Sequence, residues 1–264
     1  MISEIHVAYA PECCHGKWCL PNFSCQVTTD NAKLSFNNSF VPTLSVMDKN
    51  LNCSKQTIKS YVFRQGRLTA NQKDALDNAY QNKFDYYQTI ASTRNSRKAV
   101  LEIGFGDGRA LLQQAINNPD IDFFGVEVYP PGVGQLLSQC RINDVSNLFV
   151  FHGDVETFLT QEFLPTWSKV QVYFPDPWHK KRHKKRRLIS ESFIKQLETI
   201  LSYGSQLHII TDWDDYAEHI ELVMAGAKRF LKVENPNLER AQTKYELRAL
   251  KLGHTIHEFL YVLG

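Results

Sequence analysis

Chemistry is most concentrated in this sequence where acidic residues meet the ends of short apolar runs. The segment Glu102-Ile103-Gly104-Phe105-Gly106-Asp107-Gly108 follows one such run and precedes an amphipathic stretch. Glycines there suit a tight turn that brings the backbone close to a ligand, where a Cβ would not fit. A dinucleotide-binding loop wants its third glycine three residues after its second, but position 109 is Arg and the glycine stands at 108. The shorter G-x-G-x-G spacing suits a cofactor with no pyrophosphate to seat on a helix N-terminus. Glu102, beside the loop, disfavours an anionic ligand and favours a cationic one such as the sulfonium of S-adenosylmethionine. Glu127 ends the next apolar run, where a carboxylate can accept both ribose hydroxyl protons. Asp154 ends the run after that and is placed to accept from an adenine amino group. Any one of these acids alone reads equally well as a solvated strand end; three in successive positions make coincidence a poor explanation.

A fourth acid, Asp176, lies in Tyr173-Phe174-Pro175-Asp176-Pro177-Trp178-His179-Lys180. The two prolines fix the local backbone and disfavour helix at the residues before them, so Asp176 is expected on a stiff loop beside the cofactor. Directly after it, seven of the thirty Lys and Arg residues fall between Lys180 and Arg187. The formal net charge of +2 says nothing about a nucleic-acid partner, but this clustering is what a phosphate-binding footprint looks like. A solvated helix entry is the plainer alternative. Trp178 and Trp213 are read as core aromatics in preference to base-stacking platforms.

The elements that must position these groups follow from the hydrophobic pattern. The runs AVLEI, DFFGVEV, NLFVF, VQVYF and QLHII are too short for helices, and amphipathic stretches such as GRALLQQAINN and LISESFIKQLETIL separate them. Five strands alternating with helices predict an α/β fold with a doubly wound, mostly parallel sheet. TIHEFLYVL supplies a further strand, expected at the sheet's C-terminal margin, and Gly204 is placed to stop the helix that carries Ile189, Phe193, Leu197 and Ile200. Upstream, Thr69 and Gln72 form a capping-box pattern, so a helix is expected from about Ala70.

Residues 1–55 show neither period and are rich in Asn, Ser, Thr and Pro, which suggests a poorly ordered extension ahead of a single domain over 56–264. Five of the six cysteines, at 13, 14, 19, 25 and 53, fall in this extension, and with His15 they lack the paired C-x-x-C arms of a strong zinc motif; no metal is expected. No apolar stretch reaches the roughly 18 residues of a membrane span and the first residues do not resemble a signal peptide, so no membrane role and a cytosolic home are expected.

From about residue 57 onward the sequence resembles the bacterial tRNA (guanine-N7)-methyltransferase family. The likeness is carried by EIGFGDG, GVEVYPPGVG, FPDPWHKKRHKKRR, TDW at 211–213, TKYE at 243–246 and the approach IKSYVFRQGRLT, of which FPDPWHKKRH is the most specific. The resemblance implies a Rossmann-like class I S-adenosylmethionine-dependent methyltransferase fold with an antiparallel strand near the C-terminus, acting on a guanine of the tRNA variable loop. It implies cofactor contacts from Glu102, Gly104, Gly106, Glu127, Asp154 and Asp176, with Asp176 catalytic. Substrate contacts are implied for Lys180, Asp212, Thr243, Lys244, Tyr245 and Glu246, and RNA contacts for Arg182, His183, Lys184, Lys185, Arg186 and Arg187. The chemistry agrees. Guanine N7 carries a lone pair and no proton, so no general base is needed and positioning dominates. Glu246 and Asp212 are candidates to accept the guanine N1 and N2 protons, although Asp212 could instead cap the helix beginning near Trp213. Two other readings stay open: an NAD-dependent oxidoreductase on the same architecture, and an RNA-binding module with a dead active site.

Overall fold

Sequence neighbours in the strands feed two different cores. Val100, Phe123 and Leu148 belong to one apolar cluster, while Leu101, Phe124 and Phe149 belong to the other. A strand turns successive side chains to opposite faces, so a continuous apolar run is what a sheet covered on both sides requires. In the computed structural model, which describes residues 58–62, 66–94, 96–161, 164–234 and 240–264, that sheet is fully formed. The expected N-terminal extension and its cysteines lie outside the described residues.

Seven strands make the sheet: β1 Lys98–Ile103, β2 Ile121–Glu127, β3 Leu148–His152, β4 Trp167–Tyr173, β5 Leu201–Thr211, β6 Phe230–Lys232 and β7 His257–Leu263. Their spatial order is β3-β2-β1-β4-β5-β7-β6. The first five run parallel, and β7 is antiparallel to both β5 and β6. The order reverses between β1 and β4, the switch point where doubly wound sheets bind ligands at the carboxyl ends of their strands. Two expectations are corrected here. TIHEFLYVL is not the margin of the sheet, because the three-residue β6 pairs outside it. Gly204 does not stop a helix either: the helix ends at Ile200 and Gly204 lies inside β5, at φ +81°, where the pairing with β4 shifts register.

The helices are α1 Ala70–Asn78, α2 Phe84–Ile90, α3 Arg109–Asn117, α4 Pro130–Ile142, α5 Val155–Phe158, α6 Glu191–Ile200, α7 Asp214–Gly226 and α8 Lys244–Lys251. α1 begins at Ala70 with the capping box formed: Gln72 N–H donates to Thr69 Oγ1 at 3.3 Å, and Thr69 N–H donates to Gln72 Oε1 at 2.9 Å. α3 and α4 pack on the Val100 face, and α6 and α7 on the other. Asp212 does not cap α7, whose N-cap is Trp213 without a side-chain bond. Gly132, in the first turn of α4, lies so close to the glycine loop that a Cβ there would stand 2.0 Å from the Gly106 carbonyl oxygen. The helix and the loop can approach this closely only because Gly132 has no side chain.

Candidate active site

Parallel pairing gathers the carboxyl ends of β1, β2, β3, β4 and β5 along one edge, and with them all four acids identified from the sequence. After β1 the chain turns on Gly104, Gly106 and Gly108 at φ +77°, +63° and +73°. That is the left-handed region, which residues with a Cβ enter at a cost. Gly104 N–H donates to Val126 O at 2.8 Å, tying the loop to β2.

Glu102 is 2 % exposed and its Oε2 has no hydrogen-bond partner. Burial, with the charge of nearby Glu127 adding to it, pushes its carboxyl up to about 8. An orphaned acidic oxygen in the wall of a ligand cleft is what a site for a cationic group presents before the cation arrives. Glu127 takes a different part. Its carboxylate accepts from the N–H groups of Gly106 at 2.9 Å, Val128 at 2.7 Å and Tyr129 at 2.9 Å, so it clamps the glycine loop onto the end of β2. Burial raises this carboxyl and the three N–H groups oppose it, with burial the larger effect.

Asp154 caps α5 by accepting from Thr157 N–H at 3.1 Å, and it also receives Lys59 Nζ at 2.5 Å. Burial would raise its carboxyl, but Lys59 and the cap hold it below the usual range. Lys59 was not singled out in the sequence; no period or spacing links positions 95 residues apart.

Asp176 is exposed on the loop after β4. The prolines are only part of what stiffens that loop: Phe174 and Trp178, on either side of Asp176, both take positive φ, +51° and +49°. Each such residue costs about 1–3 kcal/mol and persists where its surroundings over-determine it. Phe174 N–H is held by Ile210 O at 2.8 Å. Trp178 donates to Ser60 O at 3.0 Å and carries the Arg186 guanidinium 4.1 Å from its ring centroid. Neither Trp178 nor Trp213 is a core residue, contrary to expectation: Trp178 is half-buried under Arg186 and Trp213 is exposed. Trp178 follows the Pro175–Pro177 turn past the end of β4, and Trp213 lies between the end of β5 and α7, so both indoles stand on the loops at the strand ends and not in the core.

The basic segment forms a 3-10 helix, Lys181–Arg186, and its charges divide into two groups. Lys180, Lys181, Arg182 and Lys185 are exposed and His183 half-exposed. Three others build structure. Arg186 donates to Lys59 O at 2.8 Å and Tyr61 O at 2.7 Å. Lys184 reaches Asp215 at 2.5 Å. Arg187, expected against RNA, is instead 5 % exposed and bonded to Pro177 O, Asp215 O and the Asp215 carboxylate.

The Thr243–Glu246 segment is the start of α8. Thr243 caps it, accepting from Glu246 N–H at 3.1 Å, and the T-x-x-E spacing is the signal from which this helix start could have been found. Tyr245 lies over the glycine loop, 3.1 Å from where a Gly106 Cβ would be, and stacks 6.5 Å from Phe174; Lys244 pairs with Asp107 at 3.2 Å. Glu246, expected to accept from guanine, is buried, with both carboxylate oxygens on Arg240 at 2.5 and 2.9 Å. Asp212 is part-buried and pairs with His254 Nδ1 at 2.9 Å. Among the described residues no group of three or more His, Cys, Asp or Glu could hold a metal, and no helix is long and apolar enough to cross a membrane.

Comparison with known proteins agrees with this geometry. Residues 96–259 match the family model described as "Putative methyltransferase". The fold resembles the crystal structure of the 16S rRNA methyltransferase KamB, with a TM-score of 0.51 at 12 % identity over 69 % of this chain and 94 % of that one. Glycine loop, acidic strand ends and strand order together define a Rossmann-like methyltransferase. The chain is 41 % identical over 212 residues to the tRNA (guanine-N(7)-)-methyltransferase of Nitrosococcus oceani, covering 77 % of this chain and 90 % of that protein. It is 39 % identical over 218 residues to the Shewanella amazonensis protein of the same name, covering 77 % and 91 %. The Saccharophagus degradans protein, also so named, is 37 % identical over 220 residues, covering 78 % and 96 %. The chain belongs to the bacterial tRNA (guanine-N7)-methyltransferase family.

Glu102 gives this site a pH signature. Its carboxyl is raised to about 8 in the folded protein and is near 4.5 when unfolded, so the native state holds the extra proton. Its contribution is then full below about 4.5 and lost as pH rises toward 8. Glu102→Gln keeps the shape without the titration. The thermal midpoint of this variant should fall less than that of the wild type between about pH 5 and 8.5; parallel pH profiles would remove Glu102 as the buried acid.

Proposed function

We propose that this protein methylates N7 of a guanine in tRNA with S-adenosylmethionine as donor, in the cytoplasm. The observation that carries the reading is the buried, partnerless Glu102 oxygen beside three left-handed glycines, at the switch point of a methyltransferase fold. When bound, the cofactor supplies a methyl group made electrophilic by its positive sulfur.

In this reading Glu102, Gly104, Gly106, Glu127 and Asp154 hold the donor. Glu102 and Glu127 supply negative charge in a low-dielectric cleft, and the glycines allow close backbone approach. Asp154 is reached once Lys59 gives way or shares its oxygens. Asp176 faces the reacting groups from its strained turn. Guanine N7 has no proton to lose, so Asp176 has no base to be; as positive charge passes to the purine, its carboxylate favours the transfer. Lys180 and Asp212, with Thr243, Lys244 and Tyr245 at the start of α8, border the same edge and receive the nucleotide. Phosphates lie along Lys181, Arg182, His183 and Lys185, which set affinity, and the pocket selects the base. The relatives' names, at 37–41 % identity over nearly their whole length, support tRNA as the substrate. The methyltransferase names of the relatives speak for methyl transfer over the oxidoreductase alternative, and the presence of all four acids at the strand ends speaks against the dead-module reading.

Asp176→Ala should lose at least about 100-fold in methyl incorporation into bulk tRNA while tRNA binding by filter retention is kept. Wild-type turnover in that variant would refute its role. Reversing Lys181, Arg182 and Lys185 to Glu should weaken tRNA binding by more than about tenfold near 0.15 M salt and flatten its salt dependence, leaving cofactor affinity alone. An unchanged salt slope would move the RNA track elsewhere.

A further inference from the structure

Arg240, like Arg187, is a cation near the site whose guanidinium is fully committed to protein partners. Its side chain is 9 % exposed, and all three guanidinium nitrogens are used. Nη1 and Nη2 meet the two oxygens of Glu246 in a parallel fork at 2.5 and 2.9 Å, and Nε reaches Glu258 Oε1 at 3.0 Å. The same Glu258 oxygen meets His208 Nε2 at 2.7 Å, and His208 Nδ1 meets the Tyr173 hydroxyl at 2.8 Å. The guanidinium also lies 5.7 Å from the Tyr173 ring centroid. One cation thus ties the first turn of α8 to β7, β5 and the last residue of β4.

Both ends of this chain of bonds reach the reaction centre. Tyr173 directly precedes Phe174 and the turn that carries Asp176. Glu246 directly follows Tyr245, which covers Gly106 and stacks on Phe174. We propose that Arg240 is a positioning residue for methyl transfer, fixing Thr243–Glu246 against the Tyr173–Asp176 turn without touching either reactant. It follows that Glu246 serves the substrate by anchoring α8, while Asp212, whose bond to His254 leaves it accessible at the rim, is the carboxylate open to the base. The inference rests on the methyl-transfer reading above. A shift of the order of 1 Å at such a contact can cost about 100-fold in rate.

The test is steady-state methylation of bulk tRNA by wild type, Arg240→Gln, Arg240→Lys and Glu258→Gln, with S-adenosylhomocysteine affinity from calorimetry. Arg240→Gln should lower kcat by about 100-fold and leave cofactor affinity within about threefold, since the cofactor's acids are not its partners. Arg240→Lys should recover no more than about tenfold, because an ammonium cannot reproduce the fork. Glu258→Gln should lower kcat in the same direction by less. Wild-type kcat in Arg240→Gln, or equal losses in kcat and cofactor affinity, would overturn the role. If Arg240→Gln does not fold, Glu258→Gln decides, and wild-type kcat there overturns it. A wild-type enzyme that leaves tRNA unmethylated would overturn the underlying reading and this inference together.

Discussion

A carboxyl group buried at the end of β1 with one oxygen unpartnered is the constraint on which this active site turns. Burying an acid without a counter-charge is costly, and a protein commonly answers by neutralising the group. Glu102 follows this pattern, with its carboxyl raised to about 8. Lys169 relieves it only in part, and the charges of Glu127 and Asp107 work the other way. Glu127, the nearest acid, spends its oxygens on three backbone N–H groups and so freezes the glycine loop in place. The cleft is therefore rigid and electrostatically incomplete, a combination suited to a cationic ligand.

Around that cleft the protein uses basic residues for two separate purposes. Arg186, Arg187 and Lys184 are structural: they bind the approach segment 58–62 to Trp178 and pin the Pro175–Pro177 turn to Asp215. The exposed remainder of the same run is free to meet phosphates. On the proposed reading, a single stretch of charge both braces the turn that carries Asp176 and supplies the exposed cations that would meet RNA phosphates. Segment 58–62 links the same turn to Asp154 through Lys59, so the two halves of the site share one short piece of chain.

The sequence disclosed this arrangement unevenly, for physical reasons. Strands β1 to β5 were legible because both faces are buried, and burial writes continuous apolar runs. The three-residue β6 was not, being too short to show any period, and its absence from the reading put β7 at the wrong place in the sheet. Gly204 was misjudged because a glycine at a register shift in a strand looks like one at a helix end. The cleft's acids could be seen from their strand-end positions, whereas the residues that brace the site around them could not. Lys59, Arg240 and Glu258 meet the site from distant parts of the chain, and periodicity encodes which face a residue occupies but not whom it meets there.

Binding of S-adenosylmethionine, followed by calorimetry at about pH 7 in buffers of different ionisation enthalpy, tests the central claim most directly. Placing a cation beside Glu102 should ionise it, so uptake of the ligand should release close to one proton, and Glu102→Gln should release almost none. Binding without proton release in the wild type, or failure to bind while NAD is retained, would contradict the account.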